Sequence, residues 1–171
     1  DGKKLLFTGT PEAFGGIGNV CPEGMIPNNY EYALFLMDLD TKKVEPLTKD
    51  FDPNIKSVQW SVSDNNLYAL CENKDQVSVF RLDMTEKKGQ RNGKWEMLQL
   101  NEPYISGSIS LAKEKPMMVY TGLSGETTDH SWVLDLKKNK HTSLTDLNPT
   151  RLAGIAMGTC KEWTYKTERG D

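Results

Sequence analysis

Residues 57–72, Ser-Val-Gln-Trp-Ser-Val-Ser-Asp-Asn-Asn-Leu-Tyr-Ala-Leu-Cys-Glu, set out a unit that the rest of the chain repeats in weaker form. Val58 and Trp60 alternate with Ser57, Gln59 and Ser61, the period-two pattern of a half-buried strand. A second apolar run, Leu67 to Leu70, follows across Ser63-Asp64-Asn65-Asn66, whose short polar side chains suit a tight turn and tolerate positive φ. The unit therefore reads as a β-hairpin.

Gly2-Lys3-Lys4-Leu5-Leu6-Phe7-Thr8-Gly9 aligns with residues 65–72 and with residues 115–122, which sets Lys4 beside Leu67 and Met117. Thr8-Gly9 recurs as Thr121-Gly122. Each of these strands is followed by a second that ends in an acidic turn: residues 33–40, 77–83 and 131–136. A short third strand closes each unit, at residues 44–48, 95–100 and 142–145. Leu47, Leu98 and Leu144 mark the repeat, and periods near 50 residues with four short strands in each are the signature of a β-propeller blade. Polar loops agree with this: Asn92-Gly93 sits in a polar hairpin loop (Lys87 to Lys94) between two strands, with Thr41-Lys42-Lys43 and residues 137–140 at the same place in the other units. No stretch sustains helical periodicity. The expected fold is all-β, a partial β-propeller of about three blades of four antiparallel strands with very little helix. It divides into a blade part over 1–49, a blade over 50–102, a blade over 103–148, and the opening strands of a further blade, or a linker, over 149–171. A closed ring needs more blades than this, so the chain reads as an arc. Its exposed blade faces are expected to drive a homodimer or a rearranged closure.

Residues 10–32 break the repeat. Three prolines and four glycines forbid a regular element there, yet the stretch carries Phe14, Ile17, Val20, Met25, Ile26, Tyr30 and Tyr32. Apolar residues in an irregular loop pack on something. Two readings stand: a cover folded over the end of its own blade, or a loop that lines a substrate route or meets a partner domain. Glu12, Glu23 and Glu31 are the acidic residues of this insertion. With Phe14 and Tyr30 they are the candidate substrate-approach residues.

Charge and cysteine content exclude several classes. Lys and Arg number 21 against 24 Asp and Glu, with neither sign gathered into a long run, so a nucleic-acid surface is not expected. No apolar run is long enough for a membrane span, and the start Asp1-Gly2-Lys3-Lys4 is no signal peptide but resembles a cut inside a repeat. Cys21, Cys71 and Cys160 lie far apart and only His130 and His141 could join them, which argues against a zinc site and for buried or unpaired thiols. No cofactor or metal is expected. Trp60, Trp95, Trp132 and Trp163 fall in or beside strands, where they pack blades together.

Trp60-Ser61-Val62-Ser63-Asp64-Asn65-Asn66-Leu67-Tyr68 resembles the W-S-P-D-G-x-x-L-x-F motif of TolB-like propellers and of the propeller domains of prolyl oligopeptidase-family serine peptidases, including the dipeptidyl peptidase IV branch. Residues 37–43 and 134–138 resemble the D-L-x-T-x-K turn of such blades, and Leu47-Thr48 and Leu144-Thr145 the L-T that follows it. The tail from Lys161 to Asp171 resembles the linker from a peptidase propeller to its α/β-hydrolase domain. The resemblance implies a C-terminal part of such a propeller, in which the blades admit short peptides to a chamber shared with the hydrolase domain. It also implies that insertion carboxylates pair with a peptide's free amino terminus, and a periplasmic or secreted location. No catalytic residue is expected in this chain: Gly122-Leu123-Ser124-Gly125-Glu126 fails the G-x-S-x-G pattern at its last position, Gly107-Ser108-Ile109-Ser110 fails too, and His130 and His141 read as packing histidines. The alternative is a TolB-like scaffold that holds a protein partner with no enzyme attached. A glycosidase propeller would want a cluster of arginines, and Arg81, Arg91, Arg151 and Arg169 are scattered.

Overall fold

Strand alternation along the chain is realised as three twisted antiparallel sheets, one per repeat. The structure is a computed structural model that describes residues 2–18, 24, 31–91, 93–125, 127–145, 152–156, 158, 159, 161, 163–166 and 168. Blade 1 joins β1 (Lys4–Gly9), β2 (Ala33–Asp38) and β3 (Val44–Pro46) in that order. Blade 2 joins β4 (Asn54–Trp60), β5 (Asn66–Asn73), β6 (Gln76–Asp83) and β9 (Glu96–Met97), with a small separate hairpin of β7 (Glu86–Lys87) and β8 (Gln90–Arg91) before its last strand. Blade 3 joins β12 (Met117–Ser124), β13 (Thr127–Asp135) and β14 (Lys140–Ser143). Its first strand is split into β10 (Tyr104–Ile105) and β11 (Ser110–Leu111), both paired to β12. The fold is thus all-β, a partial β-propeller, and the one helical turn among the described residues, α1 (Ala13–Gly16), lies in the insertion.

Hydrogen bonds outside the strand ladders repeat from blade to blade. Leu47, Leu98 and Leu144 donate their N–H groups to the carbonyls of Leu34, Val79 and Ser131 at 2.8, 2.8 and 2.9 Å. Thr48 and Thr145 hydroxyls accept from the N–H of the same Leu34 and Ser131, at 2.9 and 3.0 Å. Asp38 and Asp135 close their turns by accepting from the N–H of Thr41 (2.8 Å) and of Lys138 (3.0 Å), bonds that hold both carboxylates below their ordinary pKa. Lys42 and Asn139 then take φ of 60° and 50°, the left-handed step such a turn needs.

One expectation needs correction here. The pairs Lys4↔Asp38, Asn66↔Asp83 and Met117↔Asp135 make Asn66, not Leu67, the counterpart of Lys4, so the alignment of the middle blade is one residue out. Within the polar 87–94 loop, Lys88 and Gly89 make the turn of the β7–β8 hairpin, with φ of 54° and 75°. Asn92 is outside the described residues, and Gly93 faces Asp83 so closely that a Cβ would stand 2.5 Å from its carbonyl oxygen. Over 149–171, expected as the opening strands of a further blade or as a linker, the described residues form no strand. Ile155 closes a turn on Leu152 (2.9 Å), and the rings of Trp163 and Tyr165 lie 5.2 Å apart, exposed. A strand there would need a sheet to pair with.

The core lies between blades, in two layers. One packs Leu34 and Leu36 of blade 1 against Ile55, Leu67, Ala69, Cys71, Phe80, Leu82 and Met84 of blade 2. The other packs Tyr68, Leu70, Val77 and Val79 of blade 2 against Ile105, Ile109, Met118, Tyr120 and Leu134 of blade 3. Polar bonds also cross each seam: Trp95 Nε1 donates to Leu47 O (2.8 Å), and Gln59 Nε2 donates to Ile109 O (2.7 Å). The indole of Trp60 donates to Asn65 Oδ1 (3.1 Å), and Asn65 sits at φ 56° in the predicted hairpin turn. Both outer faces are expected to be exposed, but on blade 1 the insertion covers part of that face. Phe14 packs on Phe7 and Phe35, ring centroids 5.5 and 5.4 Å away.

Candidate functional site

The insertion reaches blade 1 by one strained step. Ala13 bonds Thr10 O and Gly16 bonds Glu12 O, both at 3.0 Å, while Phe14 and Gly15 take φ of 57° and 74°. A left-handed phenylalanine costs about 1–2 kcal/mol, and the aromatic contacts with Phe7 and Phe35 offset it. Gly18 completes the docking: a Cβ there would stand 2.7 Å from Pro11 O and 2.8 Å from the Phe35 ring. Phe14 is therefore a packing residue on its own blade, though half exposed. Glu12 lends its backbone carbonyl to this turn, and Glu31 is exposed where the chain returns to β2. Neither carboxylate has a hydrogen bond or ion pair among the described residues. Glu23 and Tyr30 lie outside the described residues, as do Cys21 and Cys160.

The return of the insertion meets the free edge of blade 2. Tyr32 N–H donates to Asn54 Oδ1 (3.3 Å), Asn54 Nδ2 donates to Glu72 Oε2 (3.2 Å), and Lys56 Nζ pairs with Glu72 Oε1 (2.6 Å). The bond from Lys56 lowers the pKa of Glu72, and the same bond raises that of Lys56. Both side chains are solvent-exposed, so the pair is worth little to stability. Its use is positional: it neutralises the edge beside two exposed rings, Tyr32 and Tyr104. Lys56 sits at the register shift between Ile55 and Ser57. A charge opposite Glu72, inside an apolar hairpin, is the trace that sequence reasoning passed over.

Other sites offer less. A polar cleft of about 650 Å³ lies beside Arg81, Asp83, Lys94 and Glu96. Arg81 is already held by Glu96 (2.8 Å), and Asp83 accepts from Thr85 N–H (2.8 Å). His141 Nδ1 shares a hydrogen bond of 2.9 Å with the Tyr120 hydroxyl, which also accepts from Asn101 N–H (3.1 Å). His130 stacks on Trp132 and meets Ser143 Oγ at 2.8 Å. Glu102 is buried and accepts from Trp132 Nε1 and from the Thr127 hydroxyl, both at 3.2 Å. Among the described residues, no three His, Cys, Asp or Glu side chains come together as a metal site, and no helix is long and apolar enough to cross a membrane.

No protein-family model matches the chain, and no curated protein matches it. Among solved structures it is similar to TolB from Acinetobacter baumannii, with a TM-score of 0.54 and 16% sequence identity over 84% of this chain and 30% of that one. The chain thus spans less than a third of the length of that structure. At such identity the likeness bears on architecture alone, and with the three repeating sheets it shows that this chain has a TolB-like β-propeller fold.

Proposed function

We propose that the chain is a non-catalytic propeller segment of a prolyl oligopeptidase-type serine exopeptidase, and that its insertion end receives short peptides bound for an α/β-hydrolase domain of the same parent chain. The observation that carries this reading is the docked insertion. It is fastened by Phe14 on one side and by the Tyr32–Asn54 bond on the other, with the carboxylates of Glu12 and Glu31 engaged by no described residue. A peptide's terminal ammonium supplies the charge-assisted donors that such carboxylates accept. Tyr32 and Tyr104 offer flat apolar surface for its first side chains.

A tripeptide with a free amino terminus is expected to bind the chain about tenfold more tightly than its N-acetylated form, as one charged hydrogen bond implies. The double variant Glu12→Gln, Glu31→Gln should erase that difference in calorimetric titrations. Equal affinities for both peptides in the unaltered chain would refute the reading. The second reading, a TolB-like scaffold for a protein partner, rests on the same architecture. A G-x-S-x-G about a hundred residues or more beyond Asp171 in the parent chain supports the peptidase, and a further blade repeat there supports the scaffold.

A further inference from the structure

The seam between blades 1 and 2 holds another polar cluster at the end away from the insertion. The β7–β8 hairpin folds back across it. Arg91 bonds through Nη1 to Glu45 of β3 and through Nη2 to Glu86 (3.2 Å), and Glu86 also holds Lys4 of β1. The Arg91 side chain is only 9% exposed, and its Nε is buried with no hydrogen-bond partner among the described residues. Arg91 borders a cleft of about 420 Å³ whose other walls include Trp60, Val62 and Met84. Val62 is 86% exposed at the tip of the β4–β5 turn.

Charge decides what this cleft lacks. Lys4 and Arg91 bring two positive charges and Glu45 and Glu86 two negative ones, so no charge is left to neutralise. One N–H donor lacks an acceptor, and buried donors in folded proteins are nearly always paired. A carboxylate would add a third negative charge to a partly buried site, at a desolvation cost that a neutral carbonyl oxygen avoids. We propose that this cleft binds an extended peptide segment, with a backbone carbonyl on Arg91 Nε and the neighbouring apolar side chain against Trp60, Val62 and Met84. Entry displaces the β7–β8 hairpin slightly. Its strands are two residues long and Glu86, Lys87, Lys88 and Gly89 are exposed, so little packing opposes the shift. The inference is independent of the peptidase reading, since it uses neither the insertion nor a free amino terminus.

The test is a titration with N-acetyl-leucine amide, followed through the arginine Nε–Hε signals in nitrogen–proton correlation spectra and by calorimetry. Four arginines give four such signals, and Arg91→Lys identifies one by removing it. The Arg91 signal is expected to shift and saturate. Arg91→Lys should weaken binding by about tenfold, and Val62→Asp, an exposed substitution that leaves the fold intact, should weaken it as well. The free acid N-acetyl-leucine should bind less tightly than the amide, and Glu12→Gln, Glu31→Gln should change nothing. A stationary Arg91 signal, unchanged affinity in Arg91→Lys, tighter binding of the acid, or no binding of the amide at tens of millimolar would each overturn the proposal.

Discussion

Gly122→Ala is expected to destabilise the chain severely, while Gly9→Ala, the same position in another blade, is expected to be nearly silent. Lys4↔Asp38 and Met117↔Asp135 make the two glycines equivalent, each the sixth residue of its strand. Their surroundings differ. A Cβ on Gly122 would stand 2.7 Å from Glu102 Cβ and 2.8 Å from Tyr104 O, and the second of these is backbone of β10, the strand paired to β12 at this point. A Cβ on Gly9 would meet the Phe35 ring at 3.4 Å and Ala13 Cβ at 3.5 Å, ordinary contact. Overpacking of the first kind costs about 1–3 kcal/mol, and the upper end applies because a carbonyl cannot rotate away as a side chain can. For a chain of this size that is a fall of roughly 5–10 °C in Tm. Thermal unfolding followed by circular dichroism decides it, and equal melting of the two variants would show that β10 yields where the geometry says it cannot.

Alkaline unfolding is expected to set in between pH 9 and 12. Tyr68, Tyr120 and Cys71 are fully buried, and burial is the first cause that favours their neutral forms. It pushes the Cys71 thiol from 9.0 up to about 12 and the Tyr120 phenol from 10.0 up to about 12, and Tyr68 rises further. A folded pKa above the unfolded one means that the unfolded chain loses its proton first. The contribution is complete below the unfolded pKa and disappears as pH rises through the folded one. Each group then withdraws about 1.4 kcal/mol of stability per pH unit. Together they withdraw roughly 9 kcal/mol by pH 12, the middle of the typical stability range of about 5–15 kcal/mol. Urea midpoints at pH 8, 10 and 11 should fall steeply, and Tyr120→Phe should flatten the slope whatever it does to the stability itself. A midpoint constant up to pH 11 would mean that these groups are not held in a dry interior.

The blade repeat was legible because its turns are chemical: Asp38, Asp83 and Asp135 each end a strand, and Leu47, Leu98 and Leu144 each make the same backbone bond. The one-residue error in the middle blade has a physical origin. β1 and β12 carry exposed residues that break their apolar runs, but Leu67 to Cys71 are all buried, and a strand covered on both faces has no alternation by which to set its register. The turn at Lys88-Gly89 leaves little trace in the sequence, because lysine has no particular taste for positive φ. For the candidate site, Glu12 and Glu31 stood out as the acidic residues of an odd insertion. Asn54, Lys56, Glu72 and Arg91 did not, because each acquires its meaning from a partner 16 or more residues away: 16 from Lys56 to Glu72, 18 from Asn54 to Glu72, and 46 from Arg91 to Glu45.

β5 also divides the molecule. Leu67, Ala69 and Cys71 belong wholly to one core and Tyr68 and Leu70 wholly to the other. The strand acts as a party wall: the two interiors share its backbone and no side chain of it. Tyr68 and Leu70 face the blade 3 side and Leu67, Ala69 and Cys71 the blade 1 side, each set with its own neighbours. A single strand of this chain holds two separate records of stability, interleaved residue by residue.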